Sequence, residues 1–186
     1  MRAHQTFGSR MADVAASRLS TVTAKMVRLS FADVTSPMIR ELAAYWHELR
    51  GANPVALKKS FDPARVTALL PYLIIAEYVQ NPLRIRYRLV GTEQVRHAGE
   101  DFTGKWLHET EWDSRYVEVW LAAVAEMITT SQPVFGRDLL LWTDDKIKEC
   151  EWAVFPMSID GRGITHGLGI EDFSKIERRR GLFAPL

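Results

Sequence analysis

Residues 83–92, reading LRIRYRLVGT, alternate strictly, with Leu83, Ile85, Tyr87 and Leu89 on one face of an extended strand and Arg84, Arg86 and Arg88 on the other. A run of this kind can only be half-buried as a strand, because a helical period would scatter its apolar side chains around the axis. Gly91 lets the chain turn, and Thr92 is placed to cap a short helix. Residues 73–79 are β-branched and aromatic, and Gln80-Asn81-Pro82 separates them from the alternating run, so 72–90 reads as a β-hairpin. With Val79 opposite Arg84, Tyr78 meets Ile85, Ala76 meets Tyr87 and Ile74 meets Leu89. Glu77 then meets Arg86, and the row of arginines reads as a solvated, charge-matched face rather than a nucleic-acid patch.

Upstream, the spacing predicts a helix over 37–50. Ser36 suits its N-cap, Pro37 its first position and Gly51 its left-handed end. Met38, Leu42, Tyr45, Trp46 and Leu49 form an apolar stripe along it, and this stripe is the expected surface for a second copy of the chain. Residues 61–70 read as another short helix, capped by Asp62 with Pro63 at its start. Residues 1–35 show no periodicity and only one acid before Phe31, and they read as a flexible appendage, or as a segment in which translation starts at Met11 or Met26. No apolar run there has the length of a secretory signal.

Downstream of Gly91, short helical and loop elements lead to a long helix over 111–130. Trp112, Tyr116, Val119, Trp120, Ala123, Val124 and Met127 recur along it, so it should lie across the sheet as a lid. Strands are predicted at 134–142, 147–157 and 163–170, with turns at Asp144-Asp145 and Asp160-Gly161. A two-residue loop at Asp160-Gly161 would set Phe155 opposite His166 and Ala153 opposite Leu168. Trp152 and Val154 would then oppose Gly169 and Gly167, with the indole covering bare backbone. Both faces of this part of the sheet would be covered, one by the long helix and the other by the N-terminal helix or a second subunit.

Charge narrows the partners. The 24 basic residues are balanced by 23 acidic ones, which gives a nucleic-acid surface no support. The apolar runs fall short of the roughly 20 residues that cross a bilayer. One cysteine, Cys150, precludes an internal disulfide and fits a reducing, cytoplasmic setting. Phosphate-cradling, dinucleotide, zinc-protease and nucleophile-elbow motifs are missing from the sequence. Cys150 and His166 are offset along their strands by about five residues, roughly 17 Å at strand rise, too far for a nucleophile and its base. Glu149 and Glu151 flank Cys150 on the opposite face and read as a solvated edge.

The order of two strands, short helices, one long helix and three strands is that of a PAS domain. The chain resembles a family of small, mainly stand-alone bacterial PAS-like proteins through Tyr45-Trp46, Leu49-Arg50-Gly51, Asp62-Pro63, Leu70-Pro71, the run Arg86 to Thr92, and Gly99 with Thr103-Gly104. Phe155-Pro156-Met157 departs from the leucine-proline-leucine run of that family. The resemblance covers 36–172 and implies an α+β fold: a five-stranded antiparallel sheet with helices on one face, plus the N-terminal helix. Residues 173–186 are then a basic tail. Some PAS domains hold haem through histidine, but His97, His108 and His166 stand in no haem-specific motif. Flavin photochemistry would need a cysteine in the short helices after the second strand, and Cys150 lies elsewhere.

The expected function is a non-enzymatic sensory or regulatory module. It would bind a small apolar or aromatic ligand between sheet and lid, lined by Tyr87, Trp120, Phe155 and His166. It would pair as a homodimer and pass its signal to a separate signalling protein. The alternative is a small α+β barrel enzyme of isomerase or dehydratase type, which would need an inward-facing acid/base pair.

Overall fold

The computed structural model describes residues 25–110, 112, 114–141 and 147–174, apart from the side chains of 25, 139–141, 147 and 148. The expected Asp144-Asp145 turn and nearly all of the basic tail lie outside the described residues.

The strands are β1 (Lys25–Leu29), β2 (Ala56–Leu57), β3 (Leu73–Val79), β4 (Arg84–Val90), β5 (Val134–Leu141), β6 (Ile147–Ser158) and β7 (His166–Asp172). The helices are α1 (Pro37–Arg50), α2 (Thr92–Ala98) and α3 (Ser114–Thr130). The five expected strands are all present, and two more join them in a seven-stranded sheet of order β1-β5-β6-β7-β3-β4, with β2 beside β6. All neighbours are antiparallel except β2, which runs parallel to the end of β6 with Ala56 opposite Met157. Residues 61–70 form 3-10 turns rather than the expected short helix, although Asp62 does accept from the Ala64 amide at 3.0 Å.

Residues 25–35 are part of the domain rather than an appendage. Lys25 to Leu29 pair with β5, and Val34 and Ser36 are buried. The tie that holds this entry segment is Glu151. Its carboxylate accepts from the Thr35 amide at 2.8 Å, the Thr35 hydroxyl at 2.5 Å, the Ser36 amide at 2.8 Å and Arg137 at 3.0 Å. Burial opposes its ionisation, but these donors prevail and hold its pKa at about 2. Glu151 is thus no solvated edge; only 2% of it is exposed. Ser36 continues the tie, donating to Asp172 Oδ2 at 2.5 Å while its oxygen caps α1 at the Ile39 amide.

The apolar stripe of α1 is spent within the chain. Leu42, Tyr45 and Trp46 are buried with Ala153, Phe155, Met157, Leu168 and Ile170 of the sheet, while Met38 and Leu49 pack half-buried at the margin. The Trp46 indole donates to the Pro156 carbonyl at 2.9 Å, and its ring lies 5.8 Å from that of Phe155. The expected dimer surface is therefore an internal one: the second sheet face offers α1 its own partner. On the opposite face α3 lies over Tyr78, Tyr87, Cys150, Trp152 and Val154. Among the described residues no helix is long and apolar enough to cross a membrane.

The strand registers show where side-chain pattern and turn geometry part. From Ala76 to Val79 the β3/β4 pairing matches the expectation, but a bulge follows, so Ile75 opposes Leu89 and Ile74 opposes Val90. The extra residue turns Leu89 outward, where it is 42% exposed, while Ile85 and Tyr87 stay buried. Glu77 stands opposite Arg86, yet its ion pair, at 3.7 Å, goes to Arg88. Arg86 instead donates to the Gly104 carbonyl at 3.1 Å and lies over the Trp106 ring. Between β6 and β7 the loop spans 159–165 instead of two residues, and Phe155 opposes Leu168 while Met157 opposes His166. That slip is even-numbered, so each side chain keeps its predicted face.

Candidate functional site

On the α3 face, adjacent strands carry unequal side chains. Gly167, Gly169 and Glu171 alternate along β7, and Ala76 and Tyr78 lie beside them on β3. The Tyr78 hydroxyl occupies the space over Gly167, so closely that a Cβ there would lie 1.9 Å from its oxygen. Over Gly169 no described group comes closer than ordinary contact, and a Cβ would meet its nearest neighbour at 3.5 Å. Trp152 fills the hollow over Gly136 on β5, where a Cβ would sit 2.2 Å from its ring, and not over Gly169 as expected. Trp120 of α3 rests on that indole with ring centres 4.6 Å apart, and the bulk of the pair keeps the helix off the glycine strand.

The result is a cavity of about 50 Å³ between α3 and the sheet. Ile74, Ala76, Tyr87, Trp112, Trp120 and Val124 line it, with Tyr78 and Glu171 as polar groups. On the scale of about 10–15 Å³ per water, that is room for about four waters or a ligand of similar size. Its wall is a run of ring contacts from Tyr87 through Trp112 and Tyr116 to Trp120, with successive centres 5.8, 5.5 and 6.2 Å apart. A second hollow, of about 150 Å³, lies between β4 and α3 but opens past the exposed Arg84 and His108.

The cavity has an acidic end. Asp138 on β5 is 1% exposed and engages both oxygens, Oδ1 with the Trp152 indole at 2.8 Å and Oδ2 with the Tyr116 hydroxyl at 3.4 Å. Burial raises its pKa to about 6 against these two donors. Glu171, half-buried beneath α3, accepts no hydrogen bond from the described residues, and burial reinforced by Asp138 pushes its carboxyl up to about 8. Burial also raises Tyr78, Tyr87, Tyr116 and the Cys150 thiol well above their ordinary values. Cys150 is thus held as the thiol, the unreactive form.

Of the residues expected around one cup, Tyr87 and Trp120 line this cavity, whereas Phe155 and His166 do not. Phe155 is packed against α1, and His166 stands on that same face beside Thr165, whose hydroxyl is 3.0 Å from its Nδ1. The division follows from period-two alternation: Phe155 faces opposite to Trp152 and Val154. Sequence pattern alone did not single out Trp112, Tyr78 and Glu171 as lining residues. The signal for Glu171 was present, since it falls in step with Gly167 and Gly169 on one face of β7. His97, stacked on Phe173, and His108, beside Trp106, also lie outside the cavity. Room for about four waters does not fit a haem or a flavin.

A sheet cupped beneath one long helix, with short helical turns between its two halves, defines the PAS class. The sequence signature described as PAS domain matches residues 34–136, more than half of the chain, and the chain belongs to this family of sensory and regulatory modules. No curated protein matches the chain. Among solved structures, it is similar to one described as "Structure of an RNA-binding Light-Oxygen-Voltage Receptor", at 13% identity and a TM-score of 0.43. That similarity covers 82% of this chain and 39% of the other.

Proposed function

We propose that this PAS domain is a sensory or regulatory module that takes up one small ligand between α3 and the sheet, and that it acts without catalysing a reaction. The observation that carries this reading is the aromatic cavity over Gly169, which no side chain among the described residues fills. An apolar hollow with a few polar groups suits recognition of a small molecule. Asp138 is fully engaged with Trp152 and Tyr116, which leaves Glu171 as the available carboxyl and supports binding over acid/base work. Occupancy would press on Trp112 and Trp120 and so on the seating of α3, the element through which a protein partner would sense it. A homodimer would have to form through a surface other than the α1 stripe.

Non-denaturing mass spectrometry of the full chain, purified without added ligands, tests the reading. A discrete mass increment of a small molecule is expected, lost on denaturation. Its transfer to an Ala76→Phe variant, in which the new ring fills the cavity, would count against the site.

A further inference from the structure

The polar end of the cavity points to the chemical class of its ligand, an inference that rests on the ligand-binding function proposed for this cavity. Most of the lining is apolar, so a ligand must be mainly hydrocarbon or aromatic to gain from burial. Glu171 is the lining carboxyl, and the described residues give it no donor, whereas Asp138 has two. Among the described residues no lysine or arginine lines the cavity, so an anionic ligand would meet Glu171, with Asp138 near it, and no compensating charge. A neutral hydroxyl can offer Glu171 one ordinary hydrogen bond. An ammonium offers a charge-assisted bond, roughly twice as strong.

We propose that the cavity binds a small primary alkylammonium, of about four or five non-hydrogen atoms at about 10–15 Å³ each, whose NH3+ donates to Glu171 while its alkyl chain packs against Trp112, Trp120 and Tyr87. Burial and Asp138 keep the empty Glu171 carboxyl protonated near neutral pH, so the ammonium displaces a proton when it binds. The groups facing Glu171 are Asp138 on β5, Cys150 on β6, Tyr78 on β3, Tyr87 on β4 and Tyr116 on α3. The thiol and the tyrosines are raised and stay neutral near pH 8, and Asp138, at about 6, is already ionised there. Glu171 is therefore the group whose titration the affinity follows.

Calorimetric titration of the full chain with n-propylammonium, n-propanol and propionate at pH 9 is the test. Propylammonium should bind at least about tenfold more tightly than the other two, as the charge-assisted bond requires. Below pH 8 its affinity should fall by about tenfold per pH unit, with proton release seen as a dependence of the heat on the buffer's ionisation enthalpy. Glu171→Gln should remove the pH dependence and at least tenfold of the propylammonium affinity while leaving propanol within about twofold. The pH profile and the proton release are read on the unaltered protein and stand even if the variant does not fold. Propanol or propionate binding as tightly as propylammonium would overturn the cation and leave the ligand site standing. Binding of none of the three would overturn both.

Discussion

Trp46→Ala is expected to cost the domain about 3–5 kcal/mol of unfolding free energy, the range for truncating a buried large aromatic. Trp46 is 1% exposed, packs against Phe155 from α1 across to β6, and donates to the Pro156 carbonyl. Alanine leaves a cavity the size of an indole between helix and sheet, and it strips the Pro156 carbonyl of its donor. The position stands on the face away from Glu171, so ligand uptake under α3 should persist at temperatures where the variant is folded. Urea unfolding followed by circular dichroism measures the loss. A change below about 1 kcal/mol would mean that α1 is not seated on this sheet, since no core tryptophan is truncated so cheaply.

The second large effect is expected at Glu151. Replacing it with alanine takes the Glu151 carboxylate away from the amides of Thr35 and Ser36 and leaves Arg137 with its ion pair to Glu149, at a cost of about 3 kcal/mol or more. The chain leading from β1 into α1 loses its anchor, so hydrogen exchange should accelerate at Thr35 and Ser36 before it does in the β6/β7 pair. The pH dependence has a definite sign. The folded value of about 2 lies below the ordinary 4.5, so the stabilisation is fully present above 4.5 and is lost as pH falls toward 2. Unfolding free energy of the unaltered protein should decline across that window, and Glu151→Gln should flatten the decline. Equal slopes for the two proteins between roughly pH 5 and pH 2, where carboxylates titrate, would contradict the tie.

How far the fold was legible depended on whether a feature was local. The alternation in 83–92 gave β4 directly, and the α1 stripe gave a helix with its cap and stop, because both are periodicities of a single element. What α1 covers was not local. A stripe of Leu42, Tyr45 and Trp46 looks the same whether its partner is another copy or a sheet formed by residues about a hundred positions later. The same distance hid Glu151, whose partners Thr35 and Ser36 lie in a segment with no pattern of its own. Leu89 was assigned inward because a bulge in β4 leaves no mark in the alternation.

The site was legible in part for a related reason. Tyr87 and Trp120 sit on strongly periodic elements, whereas Phe155 and His166 join them only if two strands and the lid bring all four side chains inward. The β6/β7 loop runs over 159–165, stabilised by the Ser158 hydroxyl accepting from the Gly161 amide at 2.8 Å and the Asp160 carboxylate accepting from the Arg162 amide at 3.0 Å. A register assumed from a tight Asp-Gly turn therefore slipped by an even step, preserving faces and misplacing partners. Glu171 lies one residue past the strand expected at 163–170, whereas β7 runs on to Asp172. Its parity with Gly167 and Gly169 places it on their face.

The space between α3 and β7 should admit a small molecule, and xenon tests this with no assumption about ligand chemistry. Dry apolar cavities take up xenon. In amide correlation spectra of the isotope-labelled full chain, equilibration under xenon should shift Ala76, Tyr87, Trp120, Gly167 and Gly169 and leave the α1 face unmoved. Shifts confined to the hollow around Leu83 and His108, or none at the glycine strand, would contradict the account.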